Sequence, residues 1–364
     1  MIGKKGFYLF VAIGIIIILI GFVAWDIFSH QEYIDAFSGA TPQALEKKVP
    51  GHLSVIVKGQ VKQEYRFNSR ALQLMAKMRI RTPEVNSSGE LMGAYIYTGI
   101  PVLYILEGVV PQKNKTDAFD RPMDMVVEFR SASNQVARFS YGELVTTDDC
   151  LPVILAYDRG PIMPASEPEK YSANKYKENI KGLKLVAPRE SDTSRWLDNV
   201  TEIILETPKT PDHRLPKMEK GKKCTGGTVM CIVMCIENEK QWPASIENLP
   251  LKEIKTWFRI GHGKGIRGNH LSTVKGFPLP LYLKKNFPLS EDDNDFYIFV
   301  GCDGYRGTFS SREIFHTAAG DNLLIVESID GEMPENGTSI APVSDFFLDR
   351  GVWGVSYIIK VCMK

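Results

Sequence analysis

Residues 261–270, GHGKGIRGNH, set His262, Lys264, Arg267 and His270 among four glycines. Glycine lets successive backbone amides turn inward, and the four side chains add cationic donors, so the composition suits a phosphate or another anion. The spacing is not that of Gly-x-x-x-x-Gly-Lys-[Ser/Thr]. Arg79 and Arg81 precede the corresponding stretch of the first half and add two further candidate anion contacts; the other reading is a pair of solvated strand-edge arginines. Cys224, Cys231 and Cys235 lie close together at spacings of no zinc or iron–sulfur pattern, so no metal ligand is assigned. No Ser-His-Asp order, paired carboxylate motif or His-Glu-x-x-His segment stands out, which leaves hydrolase chemistry without positive support.

The elements that must position these residues are organised around residues 296–314, FYIFVGCDGYRGTFSSREI. Residues 296–300 are aromatic and β-branched, as a strand requires, and Asp303-Gly304 supplies a hairpin turn. Ser310 and Glu313 are spaced as a capping box, with the serine taking the Glu313 amide and the glutamate reaching back to the Ser310 amide. Asp303, Tyr305, Ser310 and Glu313 therefore read as makers of turn and cap before they read as catalysts. The same grammar runs through residues 125–144, where Phe139-Ser140 and Glu143 stand about 170 positions before Phe309-Ser310 and Glu313. Gly99-Ile100-Pro101 answers Gly276-Phe277-Pro278, and residues 199–204 answer residues 354–359 at an offset of about 155. Block order is kept while the offset drifts, as in a duplicated domain whose loops changed length, and each copy is long enough to own a core.

The remaining chain reads as follows. Asn68 or Ser69 caps a short helix over residues 70–78, residues 83–93 are loop-like, and a helix follows Pro101. Residues 249–258 have a helical pattern, whereas residues 152–157, 200–205, 228–236, 323–326 and 352–361 read as strands. Strands outnumber helices without alternating with them, so the expected class is α+β.

Lys+Arg total 44 against 43 Asp+Glu in 364 residues, so no global field draws in a polyanion and nucleic acid is excluded as a partner. Residues 7–25 carry no charge and as a helix would span roughly 28 Å, enough for a membrane. Lys4 and Lys5 on one side and Asp26 on the other place the N-terminus in the cytoplasm and the body outside. A cleaved signal peptide is the competing reading; either way the body is exported. Six cysteines in an exported chain invite disulfides whose pairing the sequence cannot give. The expected organisation is a cytoplasmic tail (1–6), an anchor (7–25), a stalk (26–50), one domain (51–206), a Pro- and Lys-rich linker (207–223) and a second domain (224–364).

The succession of strand, Gly-x-Pro helix start, Asp303-Gly304-Tyr305 turn and Ser310-x-x-Glu313 box resembles the sulfite-oxidase-like molybdopterin-binding domain. Residues 182–188, GLKLVAP, followed by Arg195-Trp196-Leu197 resemble that family's "Pro-Leu-Arg-Leu-Val-x-Pro … Trp" ending. The resemblance covers nearly all of residues 53–361, taken as two tandem mixed β domains with short helices after one transmembrane helix. It implies a molybdenum atom held by a pterin dithiolene and by a cysteine ahead of the Gly-x-Pro helix start. No cysteine lies between Val61 and Pro101 or between Cys235 and Phe277, so both copies lack that ligand. The resemblance implies a pterin phosphate as the anion near Arg79 and Arg81 or the 261–270 loop. The resulting expectation is a membrane-anchored, extracytoplasmic (periplasmic or extracellular) molybdopterin-binding-like module that is degenerate and non-catalytic. Its partners would be the membrane through residues 7–25 and proteins of a membrane complex. The alternatives are a molybdopterin oxidoreductase using Cys302 or Cys150 as ligand, and a structural surface protein.

Overall fold

Among the described residues twenty strands carry the chain, in the order β1 (Ser54–Gly59), β2 (Tyr65–Asn68), β3 (Met78–Val85), β4 (Leu91–Pro101), β5 (Val126–Ser131), β6 (Val136–Ser140), β7 (Ile154–Pro161), β8 (Lys184–Val186) and β9 (Val200–Glu206) in the first half. The second half has β10 (Met230–Val233), β11 (Lys240–Pro243), β12 (Lys252–Trp257), β13 (Ile260–Gly261), β14 (Ile266–Arg267), β15 (Leu271–Pro278), β16 (Asp295–Gly301), β17 (Arg306–Ser310), β18 (Leu323–Ile329), β19 (Ser339–Pro342) and β20 (Val355–Cys362). The computed structural model describes residues 48–115, 117–147, 151–162, 180–211, 214–219, 221–224, 227–234, 240–257, 260–261, 266–267, 271–287 and 294–363. Residues 7–25 lie outside that set. Among the described residues no helix is long and apolar enough to cross a membrane.

The α+β expectation is corrected: the molecule is mostly β, with four sheets of four or five strands standing like blades. Its described α-helices are only five to eight residues long, so they serve as corners. Two stretches explain the misreading. Residues Lys252–Trp257, expected in a helix, pair as β12 against β15, with Lys252, Ile254 and Thr256 half-buried and Glu253 and Lys255 exposed in strand alternation. Residues 83–93, expected as loop, are the ends of β3 and β4, a hairpin whose ladder runs from Met78↔Gly99 to Val85↔Leu91. Pro83 is tolerated because β3 is an edge strand.

The two halves share one strand plan. The first builds the sheets β2-β1-β9-β5-β6 and β3-β4-β7-β8, and the second builds β11-β10-β20-β16-β17 and β12-β15-β18-β19. In each five-stranded sheet one pair is parallel, β1 with β9 and β10 with β20, and the others are antiparallel. Bulges fall at matching places, Thr98/Gly99 and Lys275/Gly276. A Cβ on Gly99 would stand 2.6 Å from the Leu155 carbonyl oxygen, and one on Gly276 would strike the Ile325 carbonyl, so close backbone approach demands glycine at both. Each half buries its own apolar cluster. Val55, Phe129, Phe139 and Ile203 centre the first, and Leu279, Phe299, Phe309 and Ile358 the second. The contacts that cross between the halves at the capping helices are polar.

Candidate functional site

Three arginines head the fully buried side chains of the molecule: Arg306, Arg312 and Arg350. A guanidinium can be held there only against carboxylates and hydrogen-bond acceptors, which are Asp124 and Thr210 for Arg306, Glu190 and Asp192 for Arg312, and Asp345 with Glu313 of a capping helix for Arg350. Ser140 caps the helix Tyr141–Val145 with a complete box, its Oγ accepting from the Glu143 amide at 3.1 Å and Glu143 Oε2 accepting from the Ser140 amide at 3.3 Å. Ser310 caps the helix Ser311–Phe315 in the same way, accepting from the Glu313 amide at 3.1 Å. Here the expected return contact from Glu313 to the Ser310 amide is not made. Arg350 takes the Glu313 carboxylate instead, at 2.7 Å, because a buried cation outbids a neutral amide.

The two caps are strapped together crosswise. Ser310 Oγ donates to Glu143 Oε2 at 2.8 Å and accepts from Arg195 Nη1 at 3.2 Å. Ser140 Oγ donates to Glu313 Oε2 at 3.4 Å and meets Arg350 Nη1 at 3.5 Å. Arg195 lies over the Phe139 ring at 3.8 Å and pairs with Glu143 and Glu190. Arg350 lies over Phe309 at 4.6 Å and pairs with Glu313 and Asp345. Arg312 completes the network on Glu190 and Asp192. Burial alone would lower the Arg195 and Arg350 pKa values, yet their paired carboxylates hold both above the ordinary arginine value. Five carboxylates face three guanidiniums, and the excess negative charge shows at Glu313. Burial pushes its carboxyl up to about 7 against the pull of Arg350, with Glu143 and Asp345 adding to the rise. These buried, mutually satisfied groups are a structural latch between the halves.

Beside the latch opens a cleft of about 670 Å³. Arg189 enters it from the turn after β8, Lys252 from the start of β12, Lys284 from the helix Leu279–Asn286, and His316 from the end of the helix Ser311–Phe315. Among the described residues Asp321 is the one carboxylate in the lining, and Pro278, Leu281, Ile314 and Phe315 line it with apolar surface. Lys252 Nζ donates to the Asp321 carbonyl at 2.7 Å, and the Lys284 ammonium lies 5.6 Å from the Phe315 ring centre.

The residues singled out in the sequence lie elsewhere. Arg79 and Arg81 share one face of β3, the first half-buried and the second exposed, opposite Thr98 and Ile96. Neither lines the cleft. His262, Lys264 and His270 lie outside the described residues, and Arg267 is described only as backbone in β14. Cys302 is disulfide-bonded to Cys224, Cα to Cα 5.9 Å, and Cys362 is also disulfide-bonded. Cys231 is buried, which pushes its thiol up to about 12. Cys150 lies outside the described residues. Sequence reasoning missed the cleft because its cations come from four separate segments with no common spacing.

No protein-family model and no curated protein matches the chain. Among solved structures, the sulfane dehydrogenase SoxCD from Paracoccus pantotrophus is similar at 12% identity and a TM-score of 0.30, over 86% of this chain and 79% of that one. A likeness of that size carries no argument here.

Proposed function

We propose that this protein is a membrane-anchored, extracytoplasmic molybdopterin-binding-like module that serves in binding or assembly and does not catalyse oxygen-atom transfer. The observation that carries the reading is the Cys224–Cys302 disulfide. The redox alternative needs a soft thiolate on the metal, and Cys302 was one of its two candidates. Its sulfur is spent in a disulfide, and the described free thiol, Cys231, is held protonated by burial. The described thiols therefore do not fit a molybdenum-bearing cofactor. Disulfides also suit an exported chain, since they persist in oxidising compartments.

The test is molybdenum content by elemental analysis, with pterin fluorescence, on full-length protein extracted from the membrane of a host that makes the cofactor. The expected result is no molybdenum above background. Stoichiometric molybdenum that disappears in Cys150→Ser would replace this reading with an oxidoreductase.

A further inference from the structure

We infer that the cleft between the 189–191 turn and the helices Leu279–Asn286 and Ser311–Phe315 is a binding site for a small organic anion, an apolar ring or chain carrying a phosphate or sulfonate group. This goes beyond the proposed function and does not depend on it, because it rests on residues outside every motif that carried the family resemblance except Pro278.

Size, charge and layering each contribute. A volume of about 670 Å³ falls in the range of small-molecule sites, roughly 300–1,000 Å³. Among the described residues its charged lining is unbalanced in one direction, with Arg189, Lys252 and Lys284 beside the carboxylate of Asp321. The chain as a whole is nearly neutral, so this local excess is not a reflection of composition. His316 and Thr317 add polar atoms at the same wall. Of the three donors on Lys252, two are placed, on the Asp321 carbonyl at 2.7 Å and on Asn322 Oδ1 at 3.4 Å. Those bonds fix its stem and hold the ammonium at the cleft wall, a preorganised cation rather than a waving one.

The apolar lining separates an organic anion from a bare one. Pro278, Pro280, Leu281, Ile314 and Phe315 present an apolar surface beneath the cations. An inorganic ion would use the rim and leave that surface wet, whereas a ligand with an apolar body covers it and adds hydrophobic contact to the ion pair. The ring of Phe315, already under the Lys284 ammonium, is positioned for a ring of the ligand as well. The chemistry could be offered by a soluble organic phosphate or by a lipid headgroup. The inference commits to the soluble molecule, whose apolar body would lie against the Pro278, Leu281 and Phe315 lining of the open cleft.

The experiment is calorimetric titration of the full-length chain in non-ionic detergent with phenyl phosphate, with phenol and inorganic phosphate titrated separately. Phenyl phosphate is expected to bind with Kd on the order of 1 mM or tighter, and each fragment at least about tenfold more weakly. Lys284→Glu, at an exposed position, should weaken phenyl phosphate by about tenfold or more, as should Lys252→Met. Lys222→Glu, outside the cleft, should leave it unchanged. Three results overturn the inference: no phenyl phosphate binding, binding that both cleft variants leave intact, or association of the wild type only with phosphatidylglycerol vesicles in co-sedimentation. Molybdenum content reads the proposed function separately, so either idea can fail while the other stands.

Discussion

Glu313 shows how one side chain takes its role from what surrounds it. The sequence reads it as the closing residue of a capping box, and its amide does receive the cap. Burial, with Glu143 and Asp345 crowding the carboxylate, outweighs the pull of Arg350 and leaves it holding a proton more tightly than the unfolded chain would. The stabilising contribution is therefore complete below the unfolded carboxyl value of about 4.3 and is lost as pH rises through about 7. Asp124, raised to about 6 by burial despite Lys113, acts in the same direction. Asp192 opposes them at the acid end. Burial raises it, but the hydrogen bonds from Arg312 and Ser194 and the Arg312 charge together outweigh that and hold it at about 2, so its contribution is lost as pH falls through that value. Stability should thus peak in mildly acidic solution and fall between pH 5 and 8 by on the order of a few kcal/mol, with the melting temperature falling alongside. Glu313→Gln, which cannot ionise, should flatten the fall. Thermal melts across pH measure both, and stability that climbs from pH 5 to 8 would show that the latch does not carry a proton.

At the scale of elements, the bulges decide how each four-stranded sheet meets its helix. Gly99 and Gly276 sit where β4 and β15 press against β7 and β18, and each strand then turns at its proline into a helix. Gly276→Ala should cost roughly 1–3 kcal/mol, because the new methyl meets the Ile325 carbonyl, a backbone atom that cannot swing away. Urea denaturation would register this as a lower midpoint at unchanged slope; a midpoint like the wild type would mean that the bulge can relax. These elements were partly legible. The Gly-x-Pro spacing marked the helix starts, Asn68 was named as a cap and its Oδ1 accepts from the Ala71 amide at 3.0 Å, and Asp303-Gly304 marked the hairpin. β12 was not legible. Its apolar residues in Lys252–Trp257 suit a helix as well as a strand over so short a run, and only the ladder to β15 decides.

For the whole molecule, the question is what holds two halves of one strand plan in a single body, since contacts group residues Val49–Lys364 into one compact unit. The crossed hydrogen bonds of the two caps answer for the seam, and the second half is also tied within itself by a covalent bond. Cys224 precedes β10 and Cys302 follows β16, so the bond closes a sequence separation of 78 and ties the entry of the second half to its central hairpin. Loop-closure entropy for that span is worth about 4.5 kcal/mol in the simplest model. Cys224→Ser together with Cys302→Ser should lower stability by about 2–5 kcal/mol, and reductant, which also opens the bond at Cys362, should lower the wild type by at least as much and the double variant by less. Equal melts with and without reductant would remove the disulfide from this account.

By itself the sequence determined the local grammar. It marked turns, caps and strand runs through residue chemistry that acts over a few positions, and the repeated order of motifs followed from the same short-range signals. It also determined that no cysteine stands between Val61 and Pro101 or between Cys235 and Phe277. Only the tertiary structure decided that the molecule is mostly β, because strand pairing is a long-range choice that short apolar runs leave open. The partners of Arg195 and Arg350, the fate of Cys302 and the gathering of Arg189, Lys252, Lys284 and His316 around one cleft were likewise settled there. Each joins residues tens to hundreds of positions apart. Such pairings are governed by burial, which makes an unpaired charge costly and so forces distant groups of opposite charge to meet.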